Sequence, residues 1–230
     1  MELPVLDARL ALIASMVRPG RTVADIGADH GYLVTWLVAS GTCPSGVAAD
    51  INAQPLARAA LTAKECGVME RIALIQCDGL SALEERDAED LIIAGMGGDT
   101  IAQILEAAAW HTPDKRFLLQ PMTHAAQLRR WLCKNGYAIE MENAALAGRF
   151  CYTVMTVRFT GETLPCSEVF AHAGLLPERN TPEARAYVRA QACAAQKKAR
   201  GLARSGSHEA EYLAASRLAC ELYATIGEDL

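Results

Sequence analysis

Several things are missing from this chain. Its eight cysteines (43, 66, 77, 133, 151, 166, 193 and 220) contain no Cys-x-x-Cys pair, which excludes the usual zinc spacing and a small disulfide framework. Reduced, mostly buried thiols are the expectation. No run of about 18 apolar residues occurs, so no membrane-spanning helix is expected. The first residues lack a basic segment followed by an apolar core and a cleavage site, so no secretory signal is expected. Aromatics are only 6% of the chain. Apolar residues make up 51% of the 230, enough for one well-buried domain with or without an appendage. A net charge of −5 argues against a general polyanion binder, but the charge is uneven. Arg185, Arg189, Lys197, Lys198, Arg200 and Arg204 fall in a stretch with no Asp or Glu; with those +6 set aside, −5 becomes −11 for the rest. The chain reads as an acidic body with a basic appendage.

The stretch Val23-Ala-Asp-Ile-Gly-Ala-Asp-His-Gly-Tyr-Leu33 organises the rest. It reads as a buried strand, a tight turn over Gly27–Gly31 and a helix start, where a backbone without a Cβ can approach a flat polar ligand. Around it, helical spacing predicts helices over 6–17, 31–40, 53–66 (capped by Asn52), 99–109 and 124–135. Strands are predicted at 22–26, 45–51, 71–76, 90–94 and 116–120. Residues 137–146 and 150–159 read as two closing strands joined by a short loop, and must be antiparallel. Alternating strands and helices over about 160 residues imply an α/β, Rossmann-like sheet, mostly parallel and seven-stranded, with a terminal antiparallel hairpin. This order fits a class I methyltransferase better than a dehydrogenase.

Residues 161–180 read as irregular. Helices over 183–204 and 208–226 follow, linked by Ser205-Gly206-Ser207, with Ser207 as a cap. The first carries an apolar stripe of Val188, Ala192, Ala195, Ala199 and Leu202. The second carries Tyr212, Ala215, Ala219, Leu222 and Ile226. The expected organisation is a 1–160 cofactor-binding domain and a 161–230 helical, coiled-coil-like hairpin.

In sheets of this kind the ligand lies beyond the carboxyl ends of the strands. There the sequence places Asp25 and Gly27, Asp50 with Ile51, Asp78 with Gly79, and Ala94-Gly95-Met96-Gly97-Gly98. Asp50 suits a ribose diol, Asp78 an exocyclic adenine amine, and Asp25 a cationic amino-acid head. That set fits S-adenosylmethionine. A dinucleotide fits less well, because Gly27-x-x-x-Gly31 is not Gly-x-Gly-x-x-Gly and Asp29 would repel a pyrophosphate.

Five stretches carry a specific resemblance: Leu6–Leu10, Ala24–Leu33, Cys77–Leu80, Ile93–Gly98 and Leu119–Pro121, continued by Cys151-Tyr152. Over roughly 5–160 they resemble the bacterial tRNA (adenine(22)-N(1))-methyltransferase (TrmK-like) family. Val34, Met122 and Thr153 stand where that family commonly has Pro, Asn and Glu. The resemblance implies transfer of a methyl group from S-adenosylmethionine to N1 of a tRNA adenine, expected at position 22, and a helical C-terminal domain.

Adenine N1 keeps a free lone pair at neutral pH, and the methylated ring is cationic. A carboxylate beside it would stabilise the developing charge or accept a proton. Asp29 is the first candidate, and it also lies beside the methyl donor. His30 and Tyr32 are candidates for the wall of the adenine pocket, and Gln120-Pro121 for holding the adenine amine edge. His124 and Tyr152 are further candidates, while Met96 is expected to pack. The base must leave its stack to enter. Arg9, Arg185, Arg189, Lys197, Arg200 and Arg204 are the candidate RNA contacts. The expected partner is tRNA, with no DNA, membrane or metal, in a cytoplasmic monomer or weak homodimer. The alternatives are a class I methyltransferase acting on a small molecule or protein, and a non-catalytic RNA-binding module on a degenerate methyltransferase fold.

Overall fold

The fold was obtained as a computed structural model that describes residues 2–108, 110, 112–205 and 209–229. Seven strands form one sheet: β1 (Val23–Ile26), β2 (Gly46–Asp50), β3 (Ile72–Gln76), β4 (Asp90–Gly97), β5 (Arg116–Thr123), β6 (Tyr137–Ala147) and β7 (Phe150–Phe159). Their order is β3-β2-β1-β4-β5-β7-β6. The first five are parallel; β7 is antiparallel to β5 and to β6. The chain runs outward from β1 to β3, then crosses back to place β4 on the other side of β1. That reversal leaves a crevice above the ends of β1 and β4, where ligands bind in such sheets.

Helices cover both faces. On one lie α1 (Ala8–Met16), α2 (Tyr32–Ala39) and α3 (Ala53–Glu65), packed on Val23, Ala48, Ile92 and Leu118. On the other lie α4 (Gly98–Ala107) and α5 (Ala125–Lys134), packed on Ala24, Leu91, Ile93 and Phe117. Consecutive residues of β4 thus feed opposite cores, so the central strands read as continuous apolar runs rather than alternating ones. At the other end of the sheet, buried Asp90 accepts from Arg18 N (2.9 Å) and Arg18 Nε (2.7 Å), which ties the chain after α1 to β4.

The element boundaries agree with the sequence expectations to within a few residues, with three differences. β4 runs on to Gly97 and β5 to Thr123, because Met96 and Gly97 pair with Pro121 and Thr123 through register shifts. Asn52 holds the N-cap position of α3 but makes no side-chain cap bond. Residues 161–180 are not wholly irregular. They contain α6 (Glu168–Ala173), capped by Ser167, whose side chain accepts from Phe170 N, and α7 (Leu176–Arg179), with Pro177 in its first turn.

The C-terminal hairpin consists of α8 (Pro182–Ser205) and α9 (Glu209–Thr225). The expected turn and cap at Gly206-Ser207 lie outside the described residues. The helices run antiparallel: Arg189, near the start of α8, meets Glu228 beyond the end of α9, and Cys193 meets Tyr223. The predicted stripes are buried at Val188, Ala192, Ala195 and Ala199 and at Ala215, Ala219, Leu222 and Ile226, whereas Tyr212 is exposed.

This hairpin is joined to the sheet by buried charge. Arg129 of α5 and Glu142 of β6 are both 0% exposed and paired. Arg129 also donates to the carbonyls of Ala171 (2.7 Å) and His172 (3.2 Å) at the end of α6. Glu142 accepts from Leu175 N (3.0 Å) and from Thr153 Oγ1. The guanidinium lies 5.6 Å from the ring centre of Tyr187 on α8. Gly174 turns between these groups with φ +56°, and a Cβ there would run into the Glu142 carboxylate.

Candidate active site

The turn after β1 is held by its neighbour: Gly27 N and Ala28 N both donate to Ala49 O on β2 (2.8 and 3.1 Å). Gly27 sits at φ +74°, and a Cβ would collide with the Met96 side chain reaching across from β4. Two cavities open above this turn. The larger, about 650 Å³, has Asp50 and Asp78 among apolar Ile51, Leu80, Met96 and Ile104. Asp50 accepts from Asn52 N (2.9 Å), which directs its carboxylate at the end of β2. The smaller, about 430 Å³, holds Arg9, Asp25, Asp29, His30 and Tyr32. Gly27, Ala94 and Gly95 line both, so the two are halves of one cleft. One half sets two carboxylates beside the apolar side chains of Ile51, Leu80, Met96 and Ile104. The other has a cation and carboxylates facing the same space.

The cofactor candidates Gly27, Asp50, Ile51, Asp78, Gly79, Ala94, Gly95 and Met96 all line the larger half, and Asp25 and Asp29 the smaller. Asp25 is 5% exposed. Burial pushes its pKa up to about 7, against the pull of the Arg9 guanidinium and the Val34 N–H. Asp29 stands in the left-handed region at φ +46° with a side chain 68% exposed. His30 and Tyr32 stack in parallel, 5.2 Å between ring centres and 8° between planes, as an aromatic shelf at the cleft's edge.

Three placements differ from the sequence expectation. Arg9 is not on an outer RNA-facing surface: it lines the smaller cavity and its Nη1 donates to the buried Gln120 Oε1 (2.8 Å), because the start of α1 reaches the carboxyl end of β5. Gln120 is fully buried and its amide is consumed, with Oε1 accepting also from Gly95 N (3.1 Å) and Nε2 donating to Pro121 O (3.0 Å). It positions Arg9 and Gly95 and offers no edge to a base. Pro121, His124 and Tyr152 line a third cavity instead.

The basic stripe is also divided. Arg185 and Arg189 bond Glu228 (3.2 and 2.9 Å), an acid outside the stretch that looked free of them. Lys197, Lys198, Arg200 and Arg204 are exposed on the outer half of α8. Thr100, Gln103, Ile104 and Ala107 of α4 line the larger half of the cleft and were not singled out from sequence. Their i, i+3, i+4, i+7 spacing after the glycine loop was the available signal. Among the described residues no group of three or more His, Cys, Asp or Glu is arranged to hold a metal ion.

Comparison with known proteins agrees with this geometry. A Methyltransferase domain family matches residues 6–155. The tRNA (adenine(22)-N(1))-methyltransferase of Bacillus subtilis (strain 168) is 33% identical over 172 residues, 74% of this chain and 72% of that protein. The crystal structure of the B. subtilis M1A22 tRNA methyltransferase TrmK superposes with a TM-score of 0.82 at 26% identity, covering 97% of this chain and 99% of that one. A putative tRNA (m1A22) methyltransferase of Streptococcus pneumoniae in complex with S-adenosyl-L-methionine superposes at 0.80 with 28% identity, covering 96% and 100%. A sheet with this strand order, a cleft with this charge pattern and relatives over most of its length place the chain in the tRNA (adenine(22)-N(1))-methyltransferase family.

Proposed function

We propose that the protein transfers a methyl group from S-adenosylmethionine to N1 of adenine 22 in tRNA. The observation that carries the methyl donor is the divided cleft, and the tRNA adenine rests on the relatives that act on it. An adenosine suits the apolar half, with Asp50 towards the ribose diol and Asp78 towards the adenine amine. A zwitterionic amino-acid head suits the other half, with Asp25 towards the ammonium and Arg9 towards the carboxylate. When bound, S-adenosylmethionine supplies an electrophilic methyl group on a sulfonium.

The chain's own residues supply position and charge. The Gly27 turn and the Gly95 amide, held by Gln120, keep the cleft open where its two halves meet. The His30–Tyr32 shelf is placed to receive the flat face of an extruded adenine. Adenine N1 attacks with its own lone pair, so no strong base is required. Asp29, beside the shelf, stabilises the positive charge that grows on the ring. Extrusion of the base supplies access, since its neighbours otherwise shield the Watson–Crick edge that carries N1.

In this reading residues 1–160 form the cofactor-binding domain and residues 161–230 a coiled-coil-like arm that contacts tRNA backbone through Lys197, Arg200 and Arg204. The basic arm on an acidic body supports contact with a phosphate backbone, and the relatives that act on tRNA make RNA the partner of this reading. No described helix is long and apolar enough to cross a membrane. A cytoplasmic enzyme of a bacterial cell, monomeric or weakly dimeric, completes the reading.

Incubation with methyl-labelled S-adenosylmethionine and tRNA, followed by nucleoside digestion, tests it. Label in 1-methyladenosine is the expected result, and tRNA that stays unlabelled overturns the assignment. An Asp29→Ala variant saturated with cofactor should turn over about a hundredfold more slowly. Full-rate turnover would remove Asp29 from the mechanism.

A further inference from the structure

The third cavity, about 280 Å³, has no part in the chemistry above. It is built where the two halves of the chain meet: the end of β5 and the start of α5 (Pro121–Gln127), the start of β7, His172 of α6, and Tyr187 and Gln191 of α8. Met122 lines both this cavity and the smaller half of the catalytic cleft, so the two are neighbours. Inside, His172 Nδ1 and Gln191 Oε1 lie 3.4 Å apart. Burial lowers the His172 pKa from its ordinary value, which favours a neutral imidazole. At the rim, Phe150 is 52% exposed, with the Arg149 guanidinium 5.0 Å from its ring centre and the Tyr152 ring 6.1 Å away.

A neutral imidazole and an amide offer donors and acceptors without charge, which is the chemistry that reads a nucleobase edge. An exposed aromatic ring next to a cation offers a stacking face beside a phosphate contact. The volume is well under that of the cofactor cleft, in keeping with a single base. Extruding the target adenine also leaves a neighbouring base without its stacking partner, and that base needs a surface.

We infer that this cavity holds the nucleobase adjacent to the methylated adenine, stacked on Phe150 and recognised at its edge by His172 and Gln191. The inference rests on the tRNA-methylating reading of the cleft. It assigns the junction between sheet and arm as the place where sequence next to the target is sensed.

The test compares the wild type, the double variant His172→Ala/Gln191→Ala and the single variant Phe150→Leu. Each is assayed on tRNA transcripts in which the 5′ or the 3′ neighbour of the target adenine is replaced by an abasic residue. Wild-type kcat/KM should fall about tenfold on one of the two abasic substrates, mainly through KM. Each variant should show a comparable loss on intact tRNA, little further loss on that abasic substrate, and an unchanged Kd for S-adenosylmethionine. Phe150 is exposed, so its variant reports even if the double variant folds poorly. Equal responses of wild type and variants to both abasic substrates overturn the inference, as does a wild-type KM in the Phe150→Leu variant. A wild type that labels no tRNA is a different failure, that of the methylation reading itself.

Discussion

Asp25 carries two opposing demands. Its carboxyl is almost dry, and burial raises its pKa to about 7 although Arg9 and the Val34 N–H favour the anion. Between about pH 4, where an unfolded Asp titrates, and about pH 7, the native state therefore holds a proton that the unfolded chain has lost. Its contribution to stability falls as pH rises through that window, and Asp25→Asn should remove that fall. A cationic ammonium reverses the preference towards the anion, so cofactor binding should expel the proton. Affinity for S-adenosylmethionine is accordingly expected to rise about five- to tenfold from about pH 6 to about pH 7.5. Proton release should be visible by calorimetry in buffers of different ionisation enthalpy. An Asn variant that keeps the same pH dependence would detach the effect from Asp25. At this scale the sequence showed the acids well, because each sits at a strand end where a local pattern marks it. Arg9, which Asp25 and Gln120 share, was invisible as their partner, since it comes from another element, α1.

Among the elements, the junction of α5, β6 and α6 matters most. Arg129 and Glu142 satisfy one another and also the chain ends between α6 and α7. Removing one partner strands the other in a dry site, a loss of about 3–5 kcal/mol. Arg129→Met or Glu142→Gln should lower the melting midpoint by about 10 °C. The pair Arg129→Met/Glu142→Leu should recover much of that loss, because no lone charge remains. Thermal and chemical denaturation check both, and a single variant as stable as wild type would contradict the placement. Neither residue stood out in the sequence, where an Arg and a Glu read as surface. Nor did α6 and α7, whose six and four residues are too short to show a helical period. The longer elements were legible because their periodicity spans several turns or a full buried strand.

For the whole molecule, the distribution of charge counts for more than its sum. Glu228 folds back onto Arg185 and Arg189, so the accessible cations of α8 are concentrated at Lys197, Lys198, Arg200 and Arg204. Substituting these four with Gln should weaken tRNA binding and flatten its salt dependence, by nearly one unit of slope for each phosphate no longer neutralised. Substituting Arg185 and Arg189 should flatten it less, since Glu228 already offsets them. Binding isotherms across salt concentration decide this, and equal slopes for the two sets would undo the division of the stripe.

By itself the sequence determined the alternating order of strands and helices, the antiparallel end hairpin, the acids and glycines at the strand ends, and the amphipathic faces of α8 and α9. All of these follow from local periodicity and turn chemistry, which neighbours along the chain decide. Only the tertiary structure decided that Arg9 enters the cleft beyond the strand ends and that Gln120 is spent on holding Arg9 and Gly95. The same holds for the division of the basic stripe and for a third cavity formed where sheet and arm meet. Arg9 and Gln120 are 111 residues apart, and His172 and Gln191 come from different helices. Contacts of that kind exist only once packing has brought distant segments within hydrogen-bond reach, and no pattern of spacing encodes them.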